Sequence, residues 1–126
     1  FFNFFICFFV HIYKCMNVII DNKELPLEIM STPNATSTGM MGRENLDGGM
    51  LFIFDDVSER SFWMKNCLIP LDIIFIVNNK ITKIYKDCPP CNDDKCENYY
   101  GVGNRVLELP AGEYSLVEGD VLSFTE

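Results

Sequence analysis

The sequence predicts an all-β domain, mainly β with one short helix, folded as an antiparallel β sandwich or a jelly-roll-like, partly closed barrel. Short apolar segments rich in β-branched and aromatic residues recur along the chain, and turn-forming residues separate them. Only one segment carries the start signals of a helix. The chain has 126 residues, of which 48% are hydrophobic and 22% charged, a balance typical of a single globular domain.

The first predicted element is a β hairpin. Val18–Ile20 and Leu25–Ile29 alternate apolar and polar residues on either side of a short polar turn. A short helix follows, with Thr32 as its N-cap, Pro33 at its first position and Gly42 at its end.

The remaining predicted elements are strands. Asn78 and Asn79 are expected to form a tight turn between two of them, and residues 87–103 are expected to form a long polar loop. The predicted strands share short length and β-branched or aromatic content: Met50–Phe54, Ser61–Lys65, Asp72–Val77, Ile81–Lys86, Arg105–Leu109 and Val121–Phe124.

The first fifteen residues differ in composition from the rest. Residues 1–10 hold six of the eleven phenylalanines, yet this apolar run is shorter than the ~20 residues that a membrane-spanning helix needs. It also lacks the basic start and the small-residue cleavage site of a secretory signal. We expect translation to begin at Met16, with residues 1–15 as upstream or leader sequence and residues 16–126 as one domain. This start implies a cytoplasmic protein, whereas the alternative, a truncated export signal, implies an exported or periplasmic one.

Composition excludes several function classes. Ten Lys and Arg residues against 18 Asp and Glu residues give a net charge of −8, which repels phosphate backbones, so no nucleic-acid partner is predicted. The only histidine is His11, so residues 16–126 lack the imidazole that Ser-His or Cys-His catalysis requires. No transmembrane helix, cofactor or bound metal is predicted.

The cysteines allow four interpretations. Cys88 and Cys91 have the CxxC spacing of redox enzymes, but no βαβ pattern surrounds them. With Cys67 and Cys96 they are enough for a structural zinc site, although the usual second CxxC pair is missing. The favoured alternative is a disulfide between Cys91 and Cys96 that pins the polar loop, and the last is that all the thiols are free. A reducing cytoplasm favours free thiols, and export favours the disulfide.

Asp72 is the most unusual polar residue, because it lies in the otherwise apolar run Leu68–Val77. A carboxylate in such a run must be paired or hydrogen-bonded. Lys65, Arg43 and Arg105 are the predicted cationic partners. The resulting pair is either a structural ion pair or part of a ligand-contacting cluster.

Trp63 and Lys65 fall on one face of a strand by alternation. An aromatic plane beside a cation suits a polar organic ligand, although core packing of Trp63 is an equally good interpretation. The predicted ligand-binding residues combine aromatic, cationic and acidic side chains: Arg43, Trp63, Lys65, Asn66, Asp72 and Glu108.

The chain also resembles a bacterial and archaeal family known as domain of unknown function 192. The resemblance covers residues Met16 to Phe124 and rests on Gly39–Arg43, Gly49–Phe54, Ser61–Asn66, Ile69–Ile76 and Val106–Gly112. It implies a compact β sandwich of jelly-roll type, frequently exported, without an established activity. Cys67 stands where the family more often has threonine, and Cys88 is an additional thiol.

Three functions remain open at this stage. The first is a non-catalytic binding module for a polar small molecule, sugar-like or carboxylated. The second is an enzyme in which Asp72 or Glu108 acts as general base while Arg43 or Lys65 stabilises negative charge. The third is a structural or partner-binding protein of a microbe or phage that uses its acidic surface and a sheet edge. We favour binding because no complete catalytic set is present.

Overall fold

A computed structural model describes residues 15–126, and the strands in this part form one curled sheet. Their order across the sheet is β5-β4-β6-β3-β2-β1-β7. The elements in chain order are β1 (Met16–Ile20), β2 (Lys23–Met30), α1 (Pro33–Thr38), β3 (Gly49–Trp63), β4 (Leu71–Val77), β5 (Lys80–Cys88), β6 (Asn98–Pro110) and β7 (Ser123–Thr125).

Two tight turns form the predicted hairpins. Asp21 and Asn22 have φ of 53° and 63° between β1 and β2, and Asn78 and Asn79 have φ of 49° and 70° between β4 and β5. Two-residue hairpin turns need consecutive left-handed residues, which Asn and Asp tolerate best after glycine. Both hairpin predictions are therefore confirmed.

The short helix begins as predicted but ends earlier. The Thr32 side chain accepts a hydrogen bond from the Ala35 backbone N–H at 3.1 Å, and Pro33 occupies the first turn. The helix ends at Thr38, followed by Gly39 with φ of 45°. The predicted end at Gly42 is wrong, because the chain leaves the helix one turn sooner and carries Met40 into the core.

β3 is one long strand where the sequence predicted two. The polar residues in the middle of β3 are typical of a loop. The strand nevertheless pairs with β6 on both sides of an irregularity between Ile53 and Ser58. The strand bends back there, since the rings of Phe52 and Phe62 lie 4.8 Å apart between centroids. Its partner β6 begins at Asn98, so the predicted loop over 87–103 is shorter than expected.

The all-β class and the partly closed barrel are confirmed. β2 and β3 pair in parallel, which departs from the predicted antiparallel arrangement, while the other strand pairs are antiparallel. The curl brings the two edges of the sheet together, because Lys80 of β5 forms a β-bridge with Val121, just before β7. A seven-stranded sheet with one bridge across its opening is a partly closed barrel.

Two hydrophobic cores lie on opposite faces of the sheet, because neighbouring residues of one strand enter different cores. The first core fills the inside of the curl: Met16, Val18, Ile20, Leu51, Ile74, Ile76, Ile81, Leu107, Leu109, Leu116 and Leu122. The second core lies on the outer face, beneath the bent part of β3 and β6 and the segment after α1: Met40, Leu46, Met50, Phe52, Met64, Cys67, Leu71, Ile73, Phe75, Cys88, Tyr99 and Val106.

Within residues 15–126, no helix has the length and hydrophobicity required to span a membrane. The leader prediction concerns residues 1–15, and of these residues 1–14 lie outside the described part of the chain. The start of translation at Met16 stays a prediction.

Candidate functional site

A cavity of about 270 Å³ opens at the margin of the second core. It lies between the segment that contains the end of α1 and the bent strand β3. Aromatic, hydroxyl-bearing and ionisable side chains contribute to its lining: Thr36, Ser37, Thr38, Gly39, Met40, Met41, Phe52, Phe54, Arg60, Ser61, Phe62, Trp63, Lys65, Cys67 and Glu108.

The bend of β3 shapes this cavity. Phe52 and Phe54 come from the first half of the strand, and Phe62 returns from the second half to meet both at ring distances of 4.8 and 6.5 Å. Gly39 completes the opposite wall, where an added Cβ would lie 3.3 Å from the Phe52 ring. The cavity therefore depends on a strand that folds over its own beginning.

Glu108 is the one buried carboxylate that lines the cavity. It pairs across the sheet with Met50 and Ile73, which places it on the face of the second core. Its exposed fraction is 4%, and no hydrogen bond or ion pair within the described residues involves it. No fully buried side-chain oxygen in this part of the chain lacks a partner, so the carboxyl oxygens are open to the cavity. Burial raises the pKa of Glu108 to about 8, so the side chain is mostly protonated at neutral pH.

The two cations that line the cavity already have partners. Arg60 donates to the Asp56 carboxylate at 2.6 Å and to the Gly103 carbonyl at 3.1 Å, and its guanidinium lies 3.8 Å from the centroid of Phe54. Lys65 donates to the backbone carbonyl of Asp93, and its Nζ lies 3.6 Å from the Asp94 carboxylate. Glu108 is therefore the one carboxyl group of the lining, and within residues 15–126 it forms no ion pair with either cation.

Trp63 and Lys65 both line the cavity, but so does Phe62, which alternation places on the other face, and Lys65 lies beyond the end of β3. The Trp63 side chain is 49% exposed, so it is only half covered by protein. A half-exposed indole beside a cavity is available to a ligand. Trp63 is also the only tryptophan of the chain, which makes it a natural fluorescent reporter.

The two free thiols near the cavity are not activated as nucleophiles. Cys67 and Cys88 are free and buried, and burial raises the pKa of each to about 11. Because the thiolate is the nucleophile, neither residue is activated for nucleophilic catalysis. Glu108 adds to the shift at both sites, so the two thiols lie near its carboxyl group.

Cys91 and Cys96 form a disulfide with an S–S distance of 2.02 Å. This pairing leaves the proposed four-thiol zinc set without two of its members. The loop that the disulfide closes is fixed to the end of β3, because the Asn66 N–H donates to the Cys91 carbonyl at 2.8 Å and the Cys91 N–H donates to the Met64 carbonyl at 3.2 Å. The same loop holds Lys65 through Asp93 and Asp94.

Asp72 does not have the cationic partner that the sequence led us to expect. Its carboxylate accepts a hydrogen bond from the Asp87 backbone N–H at 2.8 Å. It pairs across the sheet with Leu109 of the first core, so it lies on the face opposite to Glu108. The prediction of an ion pair with Lys65, Arg43 or Arg105 is wrong, because a backbone donor at the edge of β5 stabilises the carboxylate instead.

Arg43 and Arg105 have other partners. Arg43 binds Glu28 through two hydrogen bonds of 2.8 Å, and this interaction raises the pKa of Arg43. The Arg105 guanidinium lies 4.9 Å from the centroid of the Phe124 ring. Of the predicted ligand-binding residues, Trp63, Lys65 and Glu108 line the cavity, whereas Arg43, Asn66 and Asp72 are outside its lining.

Arg43→Ala is expected to lower the free energy of unfolding by less than about 1 kcal/mol, because the side chains of Arg43 and Glu28 are 36% and 40% exposed. A double-mutant cycle with Glu28→Ala, followed by denaturant unfolding, measures the coupling. A coupling energy near 3 kcal/mol would contradict this expectation, since such values belong to buried pairs. The same substitution at exposed Lys95 is the control.

Several lining residues were not predicted from the sequence. Arg60 lies in a polar stretch that reads as a loop, and Met40 and Met41 were assigned to the helix. One feature of the sequence could have identified these lining residues. Aromatic residues are unusually dense before and after the polar stretch, which indicates one continuous strand that bends back onto its own first half. Cys67 was considered only for its thiol chemistry.

Comparison with known proteins places this architecture in context. The model of the domain of unknown function 192 family (DUF192), described as an uncharacterized ACR, matches residues 16–124. Among proteins with curated descriptions, none matches the chain significantly.

Two crystal structures share the fold. One is described as a candidate transcription regulator of Sinorhizobium meliloti 1021; it is 29% identical, has a TM-score of 0.71, and the match covers 86% of this chain and 91% of that one. The other is a protein of unknown function from Novosphingobium aromaticivorans DSM 12444, which is 26% identical with a TM-score of 0.71, over 86% of this chain and 83% of that one.

Proposed function

Because this chain belongs to the domain of unknown function 192 family, whose description assigns no activity, we propose its function from the cavity itself. We propose that the protein is a binding module that holds a small polar molecule against Glu108 without converting it. The observation that carries the proposal is the buried Glu108 carboxyl group, which lines a cavity and forms no hydrogen bond or ion pair within residues 15–126, so that burial is the only cause of its raised pKa. No fully buried side-chain oxygen of the described residues lacks a hydrogen-bond partner, so the carboxyl oxygens of Glu108 are open to the cavity, where a ligand can contact them.

The remaining lining supports a polar organic ligand. Four hydroxyl-bearing side chains, an indole and several phenyl rings surround one acid, which is the usual composition of a small-molecule site: mostly apolar, with few polar groups that set orientation. Of the two ligand chemistries predicted from the sequence, the sugar-like one suits this lining better. A carboxylated ligand would need a free cation, and Arg60 and Lys65 already have partners.

Binding is preferred to catalysis because the cavity offers one carboxyl group without a partner in the described residues. General acid–base catalysis with Glu108 would need a second group to stabilise developing charge. Lys65 and Arg60 are held by carboxylates and carbonyls, and the Cys67 thiol has a raised pKa of about 11. A single free acid is sufficient to bind a ligand but falls short of a catalytic set.

The description of the Sinorhizobium meliloti protein points to transcription regulation. Direct contact with DNA is not favoured for this chain, because its net charge of −8 would repel the phosphate backbone. We therefore propose no nucleic-acid partner.

Trp63 fluorescence provides the test. We expect a panel of neutral, cationic and anionic polyols to contain compounds that change Trp63 emission saturably, with isothermal titration calorimetry confirming the affinity. Glu108→Gln should weaken the best of them at least about tenfold, because the loss of one charged or strong hydrogen bond is worth at least ~1.4 kcal/mol.

Asp72→Asn is the matched control, since it alters a buried acid on the opposite face of the sheet. This variant should bind as tightly as the wild type. The proposal fails if no compound perturbs Trp63, or if Glu108→Gln binds as tightly as the wild type while both proteins are folded by circular dichroism.

A further inference from the structure

We infer that the ligand of this cavity is a small hydroxylated amine, bound as its ammonium ion between the carboxylate of Glu108 and the aromatic wall. This inference rests on the proposed function and specifies the class of ligand.

The charge balance of the lining points to a cation. Arg60 is neutralised by Asp56 and Lys65 by Asp94, so the positive charges of the wall are already matched within the protein. Glu108 forms no ion pair within the described residues, since burial is the only cause of its pKa shift. The whole chain, Glu108 included, has a formal net charge of −8, which attracts cations and repels anions.

The wall is also suited to an ammonium ion. Phe52, Phe62 and Trp63 line the cavity, and aromatic rings attract organic cations through their quadrupoles. The structure already contains one such contact at this wall, between the guanidinium of Arg60 and the ring of Phe54. An aromatic wall with one carboxylate provides both attraction and charge neutralisation.

The hydroxyl groups at the rim favour an amine that is itself hydroxylated. Thr36, Ser37 and Thr38 line one side of the cavity and Ser61 lines the other. A hydroxyl can both donate and accept a hydrogen bond, although that of Ser61 already donates to the Asn98 side chain at 3.2 Å. The volume of about 270 Å³ is large enough for a compact polyol and too small for a macromolecule.

Binding of an ammonium ion must displace a proton. The free carboxyl group is mostly protonated at neutral pH, so forming the ion pair releases one proton from Glu108 to solvent. The ionisable groups near it are Arg60 of β3, Lys65 and Cys67 after β3, and Cys88 of β5, while Asp72 of β4 lies on the other face. The two thiols stay protonated, because their pKa values are about 11.

Three matched compounds test the inference: D-glucamine, D-sorbitol and D-gluconate. They share a six-carbon polyol chain and differ at C1, which carries an ammonium, a hydroxyl or a carboxylate group. Affinities are measured by Trp63 fluorescence and calorimetry in phosphate buffer, so that no buffer amine competes. We expect D-glucamine to bind at least about tenfold more tightly than D-sorbitol at pH 7.5, and D-gluconate to bind most weakly.

The pH dependence gives an independent readout. The affinity of D-glucamine should rise by up to about tenfold per pH unit from pH 6 towards pH 8, because one proton is released, while the affinity of D-sorbitol should not rise. A primary alkyl amine stays protonated across this range. In Glu108→Gln the preference for the amine and its pH dependence should both disappear. The wild-type pH profile keeps the inference testable even if that variant does not fold.

These experiments distinguish a failure of this inference from a failure of the proposed function. If D-sorbitol or D-gluconate binds as tightly as D-glucamine and the binding depends on Glu108, the inference is overturned and the proposed function stands. If none of the three compounds binds, the inference is likewise overturned. If the wider panel also gives no Glu108-dependent binding, the proposed function fails too.

Discussion

Glu108→Gln is expected to flatten the pH dependence of protein stability between pH 5 and pH 8 and to make the protein more stable than the wild type at pH 8. The reason is the pKa of Glu108, which burial raises from its ordinary value of 4.5 to about 8. In this window the folded state retains a proton that the unfolded state has released. Glutamine stays neutral in both states and has no such dependence.

The sign follows from proton linkage. A raised folded-state pKa means that this contribution to stability is fully present below about pH 4.5 and is lost as the pH rises through about 8. The loss from this residue is about 1.4 kcal/mol per pH unit, and several kcal/mol across the window. The contribution of Glu108 to the free energy of unfolding is therefore larger than that of any single exposed charge of the chain.

Urea unfolding of wild type and Glu108→Gln at pH 5, 6, 7 and 8 measures the effect. Asp72→Asn is the matched control, because this acid is satisfied by the Asp87 N–H. Its unfolding free energy should retain the wild-type pH dependence. Parallel pH profiles of wild type and Glu108→Gln would show that the carboxyl group is solvated and would contradict our description of the cavity.

Gly101→Ala is expected to destabilise the fold by about 3 kcal/mol, the upper end of the usual cost of overpacking a core. A Cβ atom at Gly101 would lie 2.4 Å from the ring of Phe75, which is fully buried in the second core. Phe75 is also held by ring contacts with Phe62 and Tyr85. The ring cannot move away without disturbing the bent part of β3 that lines the cavity.

A double-mutant cycle identifies the cause of this loss. Phe75→Ala removes the ring, so adding Gly101→Ala to that variant should cost much less than it does in the wild type. Gly112→Ala is the control, because open space surrounds Gly112 and only its φ of +79° opposes a side chain. That substitution should cost about 1 kcal/mol. If Gly101→Ala lowers the free energy of unfolding equally with and without the Phe75 ring, the close approach of Gly101 in β6 to Phe75 in β4 is refuted.

Local features of the fold were predictable from the sequence. The Asn78-Asn79 turn and the Thr32-Pro33 helix start depend on residues adjacent in the chain, and the structure has both. The parallel pairing of β2 with β3 joins Leu27 to Gly49 across an intervening helix, and no local pattern encodes such pairing. Periodicity indicates which residues form strands but does not determine their order in the sheet.

The candidate site was less predictable from the sequence than these local features of the fold. The period of a strand predicts Trp63 and Lys65 on one face, but β3 ends at Trp63 and the adjacent Phe62 also lines the cavity, so the lining depends on the bend of β3 and not on alternation alone. Asp72 and Glu108 looked similar in sequence, as single acids in apolar strands. Their cross-strand partners separate them, because Asp72 is hydrogen-bonded on one face and Glu108 faces the cavity on the other. That distinction depends on tertiary register, which a single sequence does not specify.

The most direct test of this account is the titration of Glu108 itself. Carbon-13 NMR of the carboxyl groups follows the ionisation of each glutamate separately. The resonance that is missing in Glu108→Gln is assigned to Glu108. We predict a pKa of about 8 in the ligand-free protein, because the carboxyl group is buried at the cavity and forms no hydrogen bond or ion pair within residues 15–126. A titration near the ordinary glutamate value of 4.5 would show that water or another protein group already satisfies Glu108, and would contradict the assignment of this cavity as the binding site.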